Sequence, residues 1–148
     1  MSFRIEKKCI LNEKKIFEFK YWLKINNIKN IYKDRLVTSI YFDNKLNQSL
    51  YESEEGVVPR KKIRLRFYDN NTDKILLEKK ISSPEGRFKL SELFDGNLRN
   101  LRVFDQNYGI CYPTAHIQYL RSYFSYKGLR ITYDRNIIYK KIYSNFYI

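Results

Sequence analysis

The stretch RKKIRLRFY, residues 60–68, decides how this sequence is interpreted. Successive side chains of a β-strand point to opposite faces, so alternate residues of the stretch would share a face. One face would carry four cations: Arg60, Lys62, Arg64 and Arg66. The other face would carry mainly apolar side chains: Ile63, Leu65 and Phe67. The pattern predicts a strand with one apolar face and one strongly positive face.

Neighbouring cations on such a face repel one another. Same-face neighbours lie about 6.7 Å apart, and at an effective dielectric of ~20 a partly enclosed pair repels by about 2 kcal/mol. Three such pairs would offset a large part of a typical folding free energy of ~5–15 kcal/mol. A bound anion, nearby acids or open water must therefore relieve the repulsion. For a single strand an ordinary solvated face is the simpler explanation, but arginine also forks onto phosphate oxygens bidentately.

The composition points to a polyanionic partner. The 148 residues suit one domain, over 1–148, and they contain 29 Lys and Arg against 16 Asp and Glu, a net charge of +13. This charge predicts nucleic acid, anionic lipid, nucleotides or polyphosphate as the partner. The sequence has no Gly-rich phosphate loop, zinc-ligand spacing or nucleophile elbow, and its one histidine, His116, has no catalytic partner at a diagnostic spacing. Most common enzyme classes are therefore excluded.

The cysteines and the hydropathy pattern indicate in which cellular compartment the protein is located. Cys9 and Cys111 form no CxxC-like motif, and both are expected to be reduced, buried thiols. The sequence has no apolar run long enough for a membrane span, and its first 15 residues lack the apolar core of a signal peptide. These features predict a cytoplasmic protein without a membrane span.

The rest of the chain predicts a mixture of strands and helices. Strands are predicted at 3–11, 37–43, 60–68, 74–82, 87–90, 115–126, 129–134 and 136–143. A helix capped by Asn12 is predicted to follow the first strand, residues 45–53 could form a short helix or a loop, and Ser91 could cap a further helical segment. Mostly antiparallel strands with two or three helices make an α+β domain.

Six motifs in order over residues 3–134 resemble one known family. They are FRIEKKCIL, TSIYFDN, RKKIRLRFY, LLEKK, GRFK and YLRSYFSYKGLRITYD. Their order resembles that of the VTC domain, the polyphosphate polymerase branch of the triphosphate tunnel superfamily. The resemblance implies an antiparallel barrel whose interior, lined by Lys and Arg, holds a triphosphate or polyphosphate chain. The positive face of residues 60–68 would then be a tunnel wall.

The resemblance also implies roles for individual residues. The catalytic set that it implies is Lys8, Arg64, Arg66, Lys80 and Arg121. Further phosphate-binding residues would be Arg60, Lys62, Lys89 and Arg130. Glu6 and Glu78 are the candidate ligands of a divalent metal, Mn or Mg, because they share parity with the cations of their strands. Asp134 resembles the acid of the family's Arg-x-x-x-Asp strand. Such an enzyme transfers the terminal phosphoryl group of a nucleoside triphosphate to a growing polyphosphate chain.

The sequence departs from the family pattern at its end. The family continues with another acidic strand and a late lysine, whereas this sequence ends at Ile148. A barrel of about eight strands is then expected to be incomplete, with an open edge. The chain could be a fragment, a split half completed by a second polypeptide, or a reduced binding module.

Three functions compete at this point. The first is the family-type polyphosphate polymerase, the second a non-catalytic sensor of polyphosphate or nucleotides, and the third a nucleic-acid-binding β domain, which is the least favoured. Nucleic-acid binding predicts cations on an open surface with exposed aromatic rings, whereas a tunnel predicts cations that converge. The tunnel hypothesis predicts that five side chains point into one concavity: Lys8, Arg64, Arg66, Lys80 and Arg121.

Overall fold

The computed structural model describes residues 6–96 and 100–142, in which two α-helices accompany a seven-stranded antiparallel sheet. The helices are α1 (Glu13–Ile25) and α2 (Gln48–Glu54). The strands are β1 (Arg35–Asp43), β2 (Arg60–Tyr68), β3 (Asn71–Ser83), β4 (Gly86–Leu93), β5 (Val103–Asp105), β6 (Gly109–Tyr126) and β7 (Leu129–Lys141). The α+β class with a barrel-like antiparallel sheet is confirmed.

The sheet is ordered β4-β3-β2-β1-β6-β5, and β7 also pairs with β6. Each of these neighbouring pairs is antiparallel. Four of the pairs are hairpins between consecutive strands: β2–β3, β3–β4, β5–β6 and β6–β7. Within the described ranges the sheet does not close on itself, since β4 and β7 do not pair with each other.

The apolar face of β2 lies in the core. Ile63 and Leu65 are fully buried, as the alternation predicted. They belong to a cluster with Phe42, Ile75, Val103, Tyr108 and Cys111. Short α2 is anchored beside this cluster, because the Asp43 carboxylate accepts hydrogen bonds from the backbone N–H groups of Ser49 and Leu50, each at 2.9 Å. The carboxylate thereby satisfies donors that a helix N-terminus leaves unpaired.

Helix α1 forms where its sequence pattern predicted it. The Asn12 side chain accepts a hydrogen bond from the Lys15 backbone N–H at 3.0 Å, which is the expected N-cap interaction. On one side of the helix Phe19 packs edge-on against Phe124, and Trp22 packs edge-on against Tyr126. These aromatic contacts fix α1 against the β6–β7 hairpin.

Three expectations about local structure are corrected. Residues 6–12 form no strand, although 3–11 was predicted as one, and residues 3–5 lie outside the described ranges. This segment has charged side chains at both odd and even positions, so a strand here would have no apolar face to bury, and residues 6–10 are exposed. Cys9 is exposed rather than buried, whereas Cys111 is buried. Ser91 caps no helix, because β4 continues through Leu93 and pairs there with β3; residues 97–99 of that predicted helix are outside the described ranges.

The end of the sheet is more continuous than the sequence indicated. Residues predicted as two strands, 129–134 and 136–143, form the single strand β7 as far as Lys141, and residue 143 is not described. The two segments remain joined across Asn136, which has a positive φ of 54°. Asparagine tolerates this left-handed conformation better than most residues. Neither helix of the described ranges is long and apolar enough to cross a membrane.

Candidate functional site

The strand register gathers the cations of β2, β3 and β4 on one side of the sheet. Directly paired residues of neighbouring strands point to the same side. Lys62 pairs with Lys80, and Lys80 pairs with Lys89, so three lysines form one row across three strands. We call this side of the three strands the cationic face, and it carries Arg60, Lys62, Arg64, Arg66, Lys80, Arg87 and Lys89.

A cavity of about 440 Å³ opens at the lysine row. Its lining combines cations of the cationic face with two residues of the N-terminal segment: Glu6, Lys8, Arg60, Lys62, Lys80, Ile81, Ser82, Arg87, Phe88 and Lys89. Lys8 reaches the cavity although its segment is not a strand. The lining is dominated by positive charge, which suits an anion with several charged groups.

Below this row Glu78 neutralises part of the positive charge. Glu78 is 1% exposed, and its Oε2 atom accepts a hydrogen bond from the Nε of Arg64 at 2.7 Å. Arg66 lies 4.0 Å from the same oxygen, and Lys89 forms an ion pair with the Oε1 atom. Lys80 shares a face with Glu78 on β3, but the pairing register brings Arg64 of β2 directly opposite Glu78. A nearby acid therefore relieves part of the repulsion predicted for residues 60–68.

The pKa of Glu78 is lowered by these neighbours. Burial opposes ionisation of the carboxyl group, but the hydrogen bonds from Lys89 and Arg64 and the charge of Arg66 outweigh it. Glu78 is therefore ionised at neutral pH, with its oxygens directed at cations. Arg64 is itself buried, at 6% exposure, and donates a second hydrogen bond to the Tyr41 hydroxyl at 3.0 Å.

The lysine row is less well neutralised. The pKa of Lys80 is lowered, first by partial desolvation of its ammonium group and then by repulsion from Arg64 and Arg66. Within the described ranges neither Lys62 nor Lys80 forms an ion pair. A bound anion would favour the charged form of Lys80, because an opposite charge nearby raises the pKa of an ammonium group.

Arg121 lies farther along the same side of the sheet. Its guanidinium forms two hydrogen bonds with Asp134, at 2.6 and 2.7 Å, and its charged centre lies 5.1 Å from the Tyr119 ring centroid. The hydrogen bond with Asp134 is the main reason why the pKa of Arg121 is raised. The Tyr119 hydroxyl lies 3.4 Å from an Arg66 nitrogen, so it connects Arg121 with the cationic face.

The structure brings some of the predicted site residues together and separates others. Six of them line the cavity: Glu6, Lys8, Arg60, Lys62, Lys80 and Lys89. Arg64 and Arg66 lie on the same face beside Glu78, and they do not line the cavity. Arg121 is held by Asp134, and Arg130 lines a different cavity. The expected single concavity therefore forms only in part.

Sequence reasoning missed two cations of this region, Arg87 and Arg35. Arg87 lines the cavity and alternates with Lys89 on β4, so the parity of the motif GRFK would have identified it. Arg35 pairs with Arg121 across β1 and β6. It was missed because the predicted strand began at residue 37, two residues too late.

Of the two carboxylates proposed as metal ligands, Glu78 does not fit a divalent metal. Both oxygens of Glu78 already accept from cations, which would repel a metal ion. In the part of the chain that the structure describes, no group of three His, Cys, Asp or Glu side chains could hold a metal. Protein sites for Mg²⁺ or Mn²⁺ are built from oxygen ligands with negative charge. Glu78 is therefore not available to bind a divalent metal.

The fold and the cationic face together define the chain as an α+β protein with a barrel-like antiparallel sheet and one strongly positive face. A family model, the VTC domain, matches residues 3–94, which is more than half of the sequence. The chain therefore belongs to the VTC domain family, which is linked to polyphosphate polymerases and triphosphate tunnels and is generally metal-dependent. The match covers β1 to β4 but neither β6 nor β7. No curated protein matches the chain.

Proposed function

We propose that the chain, acting as one domain, binds a linear chain of linked phosphates on its cationic face. The ligand is the triphosphate of a nucleotide or polyphosphate. The observation that carries this proposal is the row of Lys62, Lys80 and Lys89, which faces a cavity lined by further cations. Among the described residues, two members of this row form no ion pair, so an anion would supply the missing neutralisation.

A phosphate chain fits this arrangement better than a single anion or a nucleic acid does. Cations recur along β2 about 6.7 Å apart and also across β3 and β4, so successive phosphates can contact several strands at once. Arginine and lysine donate charge-assisted hydrogen bonds to phosphate oxygens. Nucleic-acid binding predicts cations on an open surface with exposed aromatic rings, whereas the cations of the lysine row converge on a cavity.

Tripolyphosphate is expected to raise the melting temperature more than sulfate does at matched ionic strength. A ligand that binds only the native state stabilises it by RT ln(1 + [L]/Kd), about 2.7 kcal/mol at 100 times Kd. Differential scanning fluorimetry measures the shift, and sulfate controls for general screening. Equal shifts with the two anions would contradict specific binding of a phosphate chain.

A second candidate function is binding without catalysis. Charge neutralisation and alignment account for most of the catalysis of phosphoryl transfer, and a divalent metal usually bridges the phosphates. Glu78 is occupied by Arg64, Arg66 and Lys89, which favours a purely cationic site. Cations alone would bind substrate and transition state with similar strength, and this favours affinity over rate.

Little ATP-dependent polyphosphate synthesis is therefore expected from residues 1–148 alone. The purified chain would be incubated with ATP and manganese, and long polyphosphate would be scored on a gel. Arg64→Met serves as the comparison, because it removes one of the predicted catalytic cations. Abundant polymer from the unmodified chain, lost in Arg64→Met, would contradict the non-catalytic function and support the family-type polymerase.

A further inference from the structure

A second cavity, of about 430 Å³, lies at the other end of the same side of the sheet. It is lined by Ile31, Tyr32, Arg35, Tyr68, Tyr123 and Arg130, and we call it the Arg–Tyr pocket. Tyr68 lies on β2, six residues beyond Lys62, so the two cavities are separated by about 20 Å along the strand. Their linings differ: the first is rich in lysine, whereas the second alternates guanidinium groups with tyrosine rings.

The side chains of the Arg–Tyr pocket are already arranged for stacking. The guanidinium carbon of Arg35 lies 5.8 Å from the Tyr32 ring centroid and 6.0 Å from that of Tyr123. Arg130 lies 5.7 Å from the same Tyr123 ring, which meets Tyr32 edge-on at 5.8 Å. Tyr123 is buried and forms the floor, while Tyr32, Arg35 and Arg130 are exposed. A planar ring that entered the pocket could therefore stack on tyrosine or guanidinium planes that are held in place beforehand.

Neither arginine of the pocket is neutralised by an ion pair among the described residues. No carboxylate of the described ranges forms an ion pair with Arg35 or Arg130. The nearest arginines along the sheet are Arg121, which pairs with Arg35, and Arg66, two residues before Tyr68 on β2. A ligand whose ring lay in the pocket could therefore direct an attached anionic group toward Arg66, about 7 Å away along the strand.

We propose that the Arg–Tyr pocket binds the aromatic base of a nucleoside triphosphate whose phosphates extend onto Arg66 and the cationic face. This inference rests on the proposed function and adds a site for the nucleoside. Bases stack readily on aromatic and guanidinium planes, and this contact tolerates different bases. The pocket thus distinguishes a nucleotide from an inorganic phosphate chain, which has no ring to stack.

The test compares the binding of ATP and of tripolyphosphate by isothermal titration calorimetry. Tyr32→Leu removes an exposed ring, and Arg35→Lys keeps the charge but removes the planar guanidinium. For each variant we expect the affinity for ATP to fall by about 5- to 150-fold, the range that corresponds to the loss of one stacked base. The affinity for tripolyphosphate should change by less than about threefold, since the charge and the cationic face are kept.

Tyr51→Leu is the matched control, because Tyr51 is a similarly exposed tyrosine on α2, outside the pocket. It should leave both affinities unchanged. Equal losses for ATP and tripolyphosphate, or no loss for ATP, would overturn the nucleoside site and leave the proposed function standing. Failure of the unmodified chain to bind tripolyphosphate would overturn the proposed function, and this inference with it.

Discussion

Replacing Glu78 with glutamine is expected to lower the free energy of unfolding by about 3 kcal/mol at neutral pH, because a buried ion pair then loses one partner. Arg64 would stay buried, and Lys89 and Arg66 would lose the charge that offsets their repulsion. Urea denaturation measures the change. Glu92→Gln is the matched control, since Glu92 is an exposed glutamate of the adjacent strand β4, and a change below about 0.5 kcal/mol is expected there.

The same variant also tests the link between stability and ligand. Tripolyphosphate should stabilise Glu78→Gln more than it stabilises the unmodified chain, because the bound phosphates take over the neutralisation that Glu78 supplied. An unchanged unfolding free energy would show that solvent alone relieves the repulsion around Arg64. Equal stabilisation of the two proteins by tripolyphosphate would show that the bound ligand does not neutralise the cations that Glu78 contacts.

Replacing Lys62 and Lys80 together with alanine is expected to lower the affinity for tripolyphosphate by at least about 100-fold. Each lysine would contribute a charge-assisted hydrogen bond of about 1.5–3 kcal/mol, and about 1.4 kcal/mol corresponds to a factor of ten. Folding should be preserved, since both side chains are exposed and their removal reduces repulsion within the cationic face. Isothermal titration calorimetry provides the affinities, and urea denaturation checks the stability.

The control for this variant has the same change in net charge. Lys20 and Lys24 lie on α1, outside the cationic face and outside both cavities. Their joint replacement by alanine should reduce the affinity for tripolyphosphate by less than about threefold, through the loss of general attraction alone. Similar losses in both double variants would show that net charge, rather than the lysine row, governs binding.

Local patterns in the sequence were sufficient for several elements. The alternation in residues 60–68 predicted both faces of β2, because side-chain direction in a strand depends only on the parity of the residue. The N-cap at Asn12 and the spacing of Phe19 and Trp22 predicted α1 for a similarly local reason. The family resemblance was confirmed by the match to residues 3–94, which contains five of its six motifs in full.

Other elements depended on residues far apart in the chain. A segment forms a strand only where a neighbour supplies backbone hydrogen bonds, and residues 6–12 have no such neighbour in the described sheet. Ser91 is an acceptable N-cap by type, but its pairing with Glu78 draws it into β4. Secondary-structure propensity is a weak predictor that tertiary contacts can override. Both errors, at residues 6–12 and at Ser91, occurred where strand pairing determined the local structure.

The sequence by itself determined that this protein has a cationic strand face and that the acids available to it are few. Only the tertiary structure decided that Glu78 neutralises Arg64 and Lys89, while Lys62 and Lys80 face a cavity without an ion pair among the described residues. Parity assigns a residue to a face, but it does not say which residue of the next strand lies opposite. Register sets that pairing, and register depends on turns and on packing across the whole sheet.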